Sequence, residues 1–174
     1  MQNRITGWVF LLVLIVSPVI LAAPPVLQVG TQVPDFTLPV VSNQLGQRLS
    51  EQRGKPLMLI FPGRCNACTD DLLPLQRLHA SHSLDGLVSW VIWTPYRNWQ
   101  PPVVYLPVLE ASGDRLPAVL AAITEPEVLL INPDGTLAHR IQSRRSRLAA
   151  TVTPVMNTWL ETLVPALILP GGRL

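Results

Sequence analysis

Cysteine is scarce in this chain: Cys65 and Cys68 are its two cysteines in 174 residues. That excludes the scaffold of small secreted domains stapled by many disulfides. Charge is sparse too, at 14% of residues with a net +2, too little positive excess for a nucleic-acid partner. Lysine is reduced to Lys55, so almost all the basic residues are arginine. Internal repeats and low-complexity segments are missing, which excludes solenoids and disordered arrays. Between Ile5 and Gln47 there is neither Lys nor Arg.

That last gap contains the clearest targeting signal. Arg4 and the amino terminus form a positive flank, and Trp8 to Ala23 is almost wholly apolar. Residues 1–23 therefore read as a signal peptide or an N-terminal membrane anchor, followed by a linker over 24–32. Ala22-Ala23 offers small residues for cleavage, but Leu21 and Pro24-Pro25 are a poor context, which favours a retained tether. The run of about 16 residues is short against the roughly 20 of a comfortable span. Either way the positive end stays inside and the rest is exported. The expected location is the periplasm, anchored to the inner membrane if the segment is kept.

Eighteen prolines point to an irregular periphery, and 48% hydrophobic residues argue against disorder. Val33 to Pro39 alternates and stops at proline, as an edge strand does. Asn43 to Gln47 reads as a turn, with Arg48 to Glu51 returning the chain. Pro56–Phe61, Leu87–Thr94 and Glu127–Ile131 read as buried strands. Val103 to Leu109 reads as extended, Pro107 interrupting it. Asn132-Pro133-Asp134-Gly135 has tight-turn chemistry, with Thr136 to Ile141 pairing back. Helices are expected over Thr69–Ser83, Arg115–Ile123 and Arg147–Val164, the last broken by Pro154 and leaving 165–174 as a tail. Strand–helix–strand followed by strand–turn–strand–helix calls for an α/β domain over 33–164, with a mixed central sheet flanked by helices.

Cys65 and Cys68 form C-x-x-C where an apolar strand gives way, through Pro62-Gly63, to a helix. The partial positive charge of a helix N-terminus and the adjacent Arg64 both favour a thiolate. A bridge across two intervening residues closes a tiny loop and removes little unfolded-state entropy, so the pair reads as redox-active rather than as a staple. Heme attachment would need His where Thr69 stands, and a peroxidase would want Thr or Ser where Pro62 stands. His79 and His82, three apart on a helix, could join the cysteines as metal ligands but lie more than a turn beyond Cys68. They read as surface or half-buried residues, His139 as structural, and Trp90 and Trp93 as core. Arg140, Arg144, Arg145 and Arg147 read as a solvated edge, with a partner-docking patch as the alternative. No metal site and no cofactor are expected.

Three segments carry a resemblance: Val29-Gly30-Thr31-Gln32-Val33-Pro34-Asp35-Phe36, the strand ending in Cys65-Asn66-Ala67-Cys68, and Glu125-Pro126 through Asp134-Gly135. In that order and spacing the chain resembles exported, often membrane-tethered thioredoxin-like proteins of the TlpA and cytochrome-c-maturation type, over about Val29 to Trp159. The resemblance implies a thioredoxin-like fold with an N-terminal β-hairpin extension and a thiol-disulfide oxidoreductase acting on protein disulfides or dithiols. Cys65 would be the attacking thiol and Cys68 the resolving one. Pro126 would be a cis-proline facing the pair, and a membrane electron donor would feed the site.

Four positions depart from that pattern. Arg64 replaces an aromatic before the first cysteine, and Leu59 stands where a buried proton acceptor is usual. Asp71 is the candidate replacement, with a helix-dipole role as the simpler reading. Glu125 precedes Pro126 and would raise a nearby thiol pKa, opposing Arg64. Thr94 to Val103 is too short and proline-rich for the helix usual there. A different class remains open on the same residues: a binding module whose two thiols hold Cu(I) for delivery.

Overall fold

The computed structural model describes residues 26–63, 70–97, 99–143 and 147–167. Thr37–Pro39 (β1) and Gly46–Arg48 (β2) form an antiparallel hairpin. Leu57–Phe61 (β3), Val88–Trp93 (β4), Val108–Glu110 (β5), Glu127–Ile131 (β6) and Leu137–Gln142 (β7) form a second sheet, in the order β5-β4-β3-β6-β7. The pairs β3–β4 and β4–β5 are parallel; β3–β6 and β6–β7 are antiparallel. The helices are Leu72–His82 (α1), Ala118–Ala121 (α2) and Leu148–Leu167 (α3). This is the mixed sheet with helices and an added N-terminal hairpin that the sequence implies.

Every residue of β3 and β6 is buried, because both faces of the sheet are covered. Alternation along each strand sorts the side chains. Met58, Ile60, Val91, Val128 and Leu130 meet Leu72, Leu75 and Leu78 of α1 and Leu148, Val152, Met156 and Trp159 of α3. Those helical positions recur every three or four residues, which puts them on one stripe. Leu59, Phe61, Trp90, Ile92, Leu129 and Ile131 face the other way. There the cover is the N-terminal segment, through Val33, Phe36, Leu38 and Val40, together with Leu116 and Leu120. Phe36 meets Trp90 edge to face at 6.5 Å, an arrangement that contributes roughly 1 kcal/mol beyond area burial.

Asp35 fastens this cover. Its carboxylate accepts from Arg48 Nε at 2.8 Å, from the Ser50 N–H at 2.9 Å and from Ser50 Oγ at 2.9 Å. Burial by itself would raise the Asp35 pKa; the hydrogen bonds from Arg48 and Ser50 outweigh it and hold the carboxyl below its ordinary range. Contacts with the sheet begin ahead of Val33. Leu27 is buried, and the Gly30 N–H donates to the Leu137 carbonyl at 2.8 Å.

Several elements differ from their sequence expectation. The helix expected over Arg115–Ile123 shrinks to Ala118–Ala121: Leu116, the residue before Pro117, is extended at φ −91° and ψ 139°. The proline ring disfavours helical backbone at the residue preceding it, so the segment divides there. The expected break at Pro154 is absent, and α3 runs from Leu148 to Leu167. Its apolar stripe on the sheet outweighs the one hydrogen bond a proline removes. The strand expected over Val103–Leu109 is confined to Val108–Glu110, after Pro107, and Val33–Pro39 is a strand only from Thr37. Residues 94–97 and 99–107 contain no helix, as their prolines suggest, and Val103 and Tyr105 stand fully in solvent.

Candidate active site

Cys65, Cys68 and Arg64 lie outside the described residues, but both flanks of their segment are defined. On the near side β3 ends at Phe61, opposite Glu127 of β6. Gly63 follows with φ +80°, a backbone that L side chains rarely adopt. Its missing side chain makes room for Pro126: a Cβ there would stand 2.8 Å from the proline Cδ and 2.9 Å from its nitrogen. Pro126 is thus packed on the residue two positions before Cys65.

The bond before Pro126 is trans, and no peptide bond among the described residues is cis. This corrects what the resemblance implies. The trans isomer is the intrinsically preferred one even before proline, and here it coexists with the close seating on Gly63. Glu125 is exposed beside it, while Pro126 is buried.

On the far side, Asp71 immediately precedes α1 and is only 6% exposed. Its Oδ2 accepts from the Leu148 N–H at 3.1 Å. A carboxylate at the start of α3 satisfies a donor that the helix itself cannot, and suits its dipole. Asp71 therefore caps α3 from another helix. Asp71 stands just before α1 and makes no side-chain cap to it, so its bond goes to α3 and not to the helix whose first turns it was expected to join. Leu59, where a proton acceptor is usual in the family, is fully buried in the apolar core.

Sequence reasoning missed Glu127. It is 1% exposed, yet carries a carboxylate at the edge of β3 that leads into Pro62-Gly63. Arg140 reaches it with Nε and, at 3.1 Å, with Nη2; Gln142 Nε2 donates to it at 2.6 Å. A buried charge persists only when paired and hydrogen-bonded, and here both oxygens are engaged. The signal was present: an acid opening an apolar run, with an arginine beyond a tight turn at the spacing that hairpin pairing requires. Arg140 is correspondingly removed from the solvated arginine edge.

The histidines sit in helix seams. His79 Nδ1 lies 3.0 Å from Ser89 Oγ, and burial pushes the His79 pKa down. His82 lies 3.0 Å from both Asp85 Oδ2 and Asn157 Oδ1, between α1 and α3. Trp90 is buried and Trp93 half-buried, both against the core.

No protein-family model matches the chain, and no curated protein matches it. Solved structures do. The thioredoxin domain of a thiol-disulfide oxidoreductase from Bacteroides vulgatus superimposes with a TM-score of 0.61 at 15% identity, over 77% of this chain and 99% of that one. A secreted Mycobacterium tuberculosis disulfide oxidoreductase homologous to E. coli DsbE gives 0.56 at 17%, over 71% and 95%. Peroxiredoxin Q from Xanthomonas campestris gives 0.61 at 14%, over 76% and 99%. Identities this low speak to architecture alone, and the last of these places a peroxidase on the same scaffold. The chain has a thioredoxin-like fold, and its structural neighbours include thioredoxin-like thiol-disulfide oxidoreductases.

Proposed function

We propose that this protein is a thiol-disulfide oxidoreductase that acts on protein disulfides outside the cytoplasm through Cys65 and Cys68. The observation that supports it most is where the C-x-x-C falls in the sequence of this fold. Its residues lie between Gly63, which follows β3 and is seated against Pro126, and Asp71, which precedes α1 and accepts from the Leu148 N–H. The Cys65 thiolate, favoured by the adjacent Arg64, attacks one sulfur of a partner disulfide. The partner's S–S bond breaks, a mixed disulfide forms, and one partner thiolate leaves. Cys68, deprotonated, then attacks Cys65, closing the Cys65–Cys68 bond and releasing the second partner thiol. Two electrons pass from the dithiol to the partner, and a membrane donor would restore them. The apolar run over residues 8–23 would supply export and a tether to the inner membrane.

The test is trapping. A Cys68→Ser variant, exposed in its native compartment to mild oxidation, should accumulate mixed disulfides that reductant dissolves and that Cys65→Ser lacks. Absence of any trapped partner would refute exchange. Metal analysis of the same preparation decides against the Cu(I)-delivery alternative: stoichiometric copper protecting both thiols from alkylation would replace the redox reading.

A further inference from the structure

Given the tether proposed for residues 8–23, on which this inference rests, one end of the folded domain stands next to the bilayer. That end is the one at which β3 begins. Leu57 opens β3 opposite Ile131 of β6 and beside Val88 of β4. A short 3-10 helix, Ser83–Asp85, runs into β4 there, with the Gly86 N–H donating to the Ser83 carbonyl at 3.2 Å and the Leu87 N–H to the His82 carbonyl at 3.4 Å. On the other side of the sheet the Gly30 N–H donates to the Leu137 carbonyl at 2.8 Å and the Val33 N–H to the Gly135 carbonyl at 3.1 Å. Those bonds bring the first described residues to the same end.

Three large apolar side chains stand in solvent on this face: Leu84 is 100% exposed, Val26 65% and Val29 64%. Buried neighbours set their positions. Leu27, between the two valines, belongs to the core cluster of Val33 and Phe36, and Gly86, at φ +82°, turns the chain from Leu84 into the buried Leu87. The exposed charges here are of both signs, Arg53 and Lys55 against Glu51, Asp85, Asp134 and Glu161. Arg53 donates to the Asp134 carbonyl, and Asp85 lies 3.0 Å from His82. The face therefore offers apolar contact and no positive field. Pro24 and Pro25 alone separate Val26 from Ala23, the last residue of the apolar run. Three residues of chain reach at most about 10 Å, so an embedded run holds Val26 within that distance of the interface.

We infer that this face rests on the lipid surface, with Val26, Val29 and Leu84 at the boundary of headgroups and acyl chains and the Gly63–Pro126 end turned away from it. Three side chains would hold a bilayer weakly from free solution. A short tether makes the contact intramolecular, so a weak one suffices to fix the orientation. The other exposed apolar side chains, Leu73 and Val103, line a groove at the start of α1 and are left facing the aqueous phase. That orientation presents the Gly63–Pro126 end to soluble partners.

The experiment uses the full chain reconstituted in phosphatidylcholine vesicles. A nitroxide is placed on Val29→Cys, Leu84→Cys or Val103→Cys, each in a Cys65→Ser/Cys68→Ser background so that one thiol is labelled. All three positions are exposed, so the fold tolerates the change. Contact of the label with a water-soluble nickel chelate is compared with its contact with lipid-soluble oxygen. At 29 and 84 nickel contact should be lost and oxygen contact should rise; at 103 nickel contact should be kept. Adding Val26→Asp and Val29→Asp should return nickel contact to the label at 84 while the chain still floats with the vesicles, which separates the contact from any pull of the label. The pattern should be the same with and without anionic lipid; protection confined to anionic vesicles would mean an ionic contact and overturn the apolar one. Nickel contact at 29 and 84 equal to that at 103, in a chain that floats, overturns the lipid contact. A chain that washes off the vesicles overturns the tether and the contact with it, while partner trapping by Cys68→Ser tests the dithiol separately.

Discussion

Replacing Gly63 by Ala tests the close approach of Pro126 to the turn that follows β3. Two penalties add. At φ +80° a residue with a Cβ is in the left-handed region, which disfavours it by about 1–2 kcal/mol. The new methyl would also lie 2.8 Å from Pro126 Cδ and 2.9 Å from its backbone nitrogen, so β3 and β6 must separate locally. Overpacking of that kind costs about 1–3 kcal/mol. The total of about 2–5 kcal/mol is a large share of the roughly 5–15 kcal/mol that stabilises an ordinary domain. For a domain of this size it corresponds to a Tm lower by roughly 5–15 °C. Gly54 is the control, with φ +87° and nothing within 4 Å of its would-be Cβ. Gly54→Ala carries the conformational penalty alone and should lower Tm by about half as much. Thermal unfolding followed by circular dichroism compares the two. In the background of Pro126→Ala the contacts with ring carbons vanish while the one with the nitrogen stays, so part of the Gly63→Ala loss should be recovered. If Gly63→Ala melts no lower than Gly54→Ala, the close approach of Pro126 is refuted.

Further perturbations address the groups around that seat. Glu127→Gln leaves Arg140 without its buried countercharge; breaking such a pair costs about 3–5 kcal/mol, and the partial exposure of Arg140 puts the loss near the lower bound. Urea denaturation should show that loss, whereas Glu127→Leu/Arg140→Leu should recover most of it; equal destabilisation of the two would contradict the pairing. Asp71→Ala should destabilise by about 1–2 kcal/mol through the uncapped α3, and Asp71→Asn, which still offers an oxygen to Leu148, by less. Asn as damaging as Ala would mean that the cap is not the reason. His79, whose pKa burial lowers from 6.5, binds its proton more readily when unfolded, so it subtracts stability as pH falls below about 6.5 and nothing above it. Asp35 and Asp134 are held below their ordinary values, so the stability they contribute is lost only below about pH 4. Between about pH 7.5 and 5.5 the Tm of His79→Gln should therefore fall less than that of the native chain; parallel curves would count against the burial of His79.

Much of the scaffold was legible because its strands are buried on both faces. Continuous apolar runs at Leu57–Phe61 and Val128–Ile131 read readily as buried strands, and the turn chemistry of Asn132 to Gly135 set the antiparallel partner of the second. Elements decided by a local competitor were less readable. Pro117 acts on Leu116 and halves a helix whose composition is otherwise favourable. Pro154 fails to stop α3, because the buried stripe through Val152 and Met156 is a tertiary effect invisible to a local rule. At the candidate site, motif spacing singled out Cys65 and Cys68 and the resemblance singled out Pro126, whereas Glu127 needed the register of the hairpin to meet Arg140. The seat of Pro126 on Gly63 likewise joins residues too distant in the chain for any window to connect.

The strand that separates Lys55 from Gly63 also separates two ends of the molecule with different duties. Gly30, Thr31 and Val33 are sewn to Leu137 and Gly135, and Gly54 to Pro133, at the end where β3 starts. Pro126 and Gly63 occupy the end where it stops, about 13 Å farther along. Whatever is attached ahead of Val26 is therefore a handle on the base.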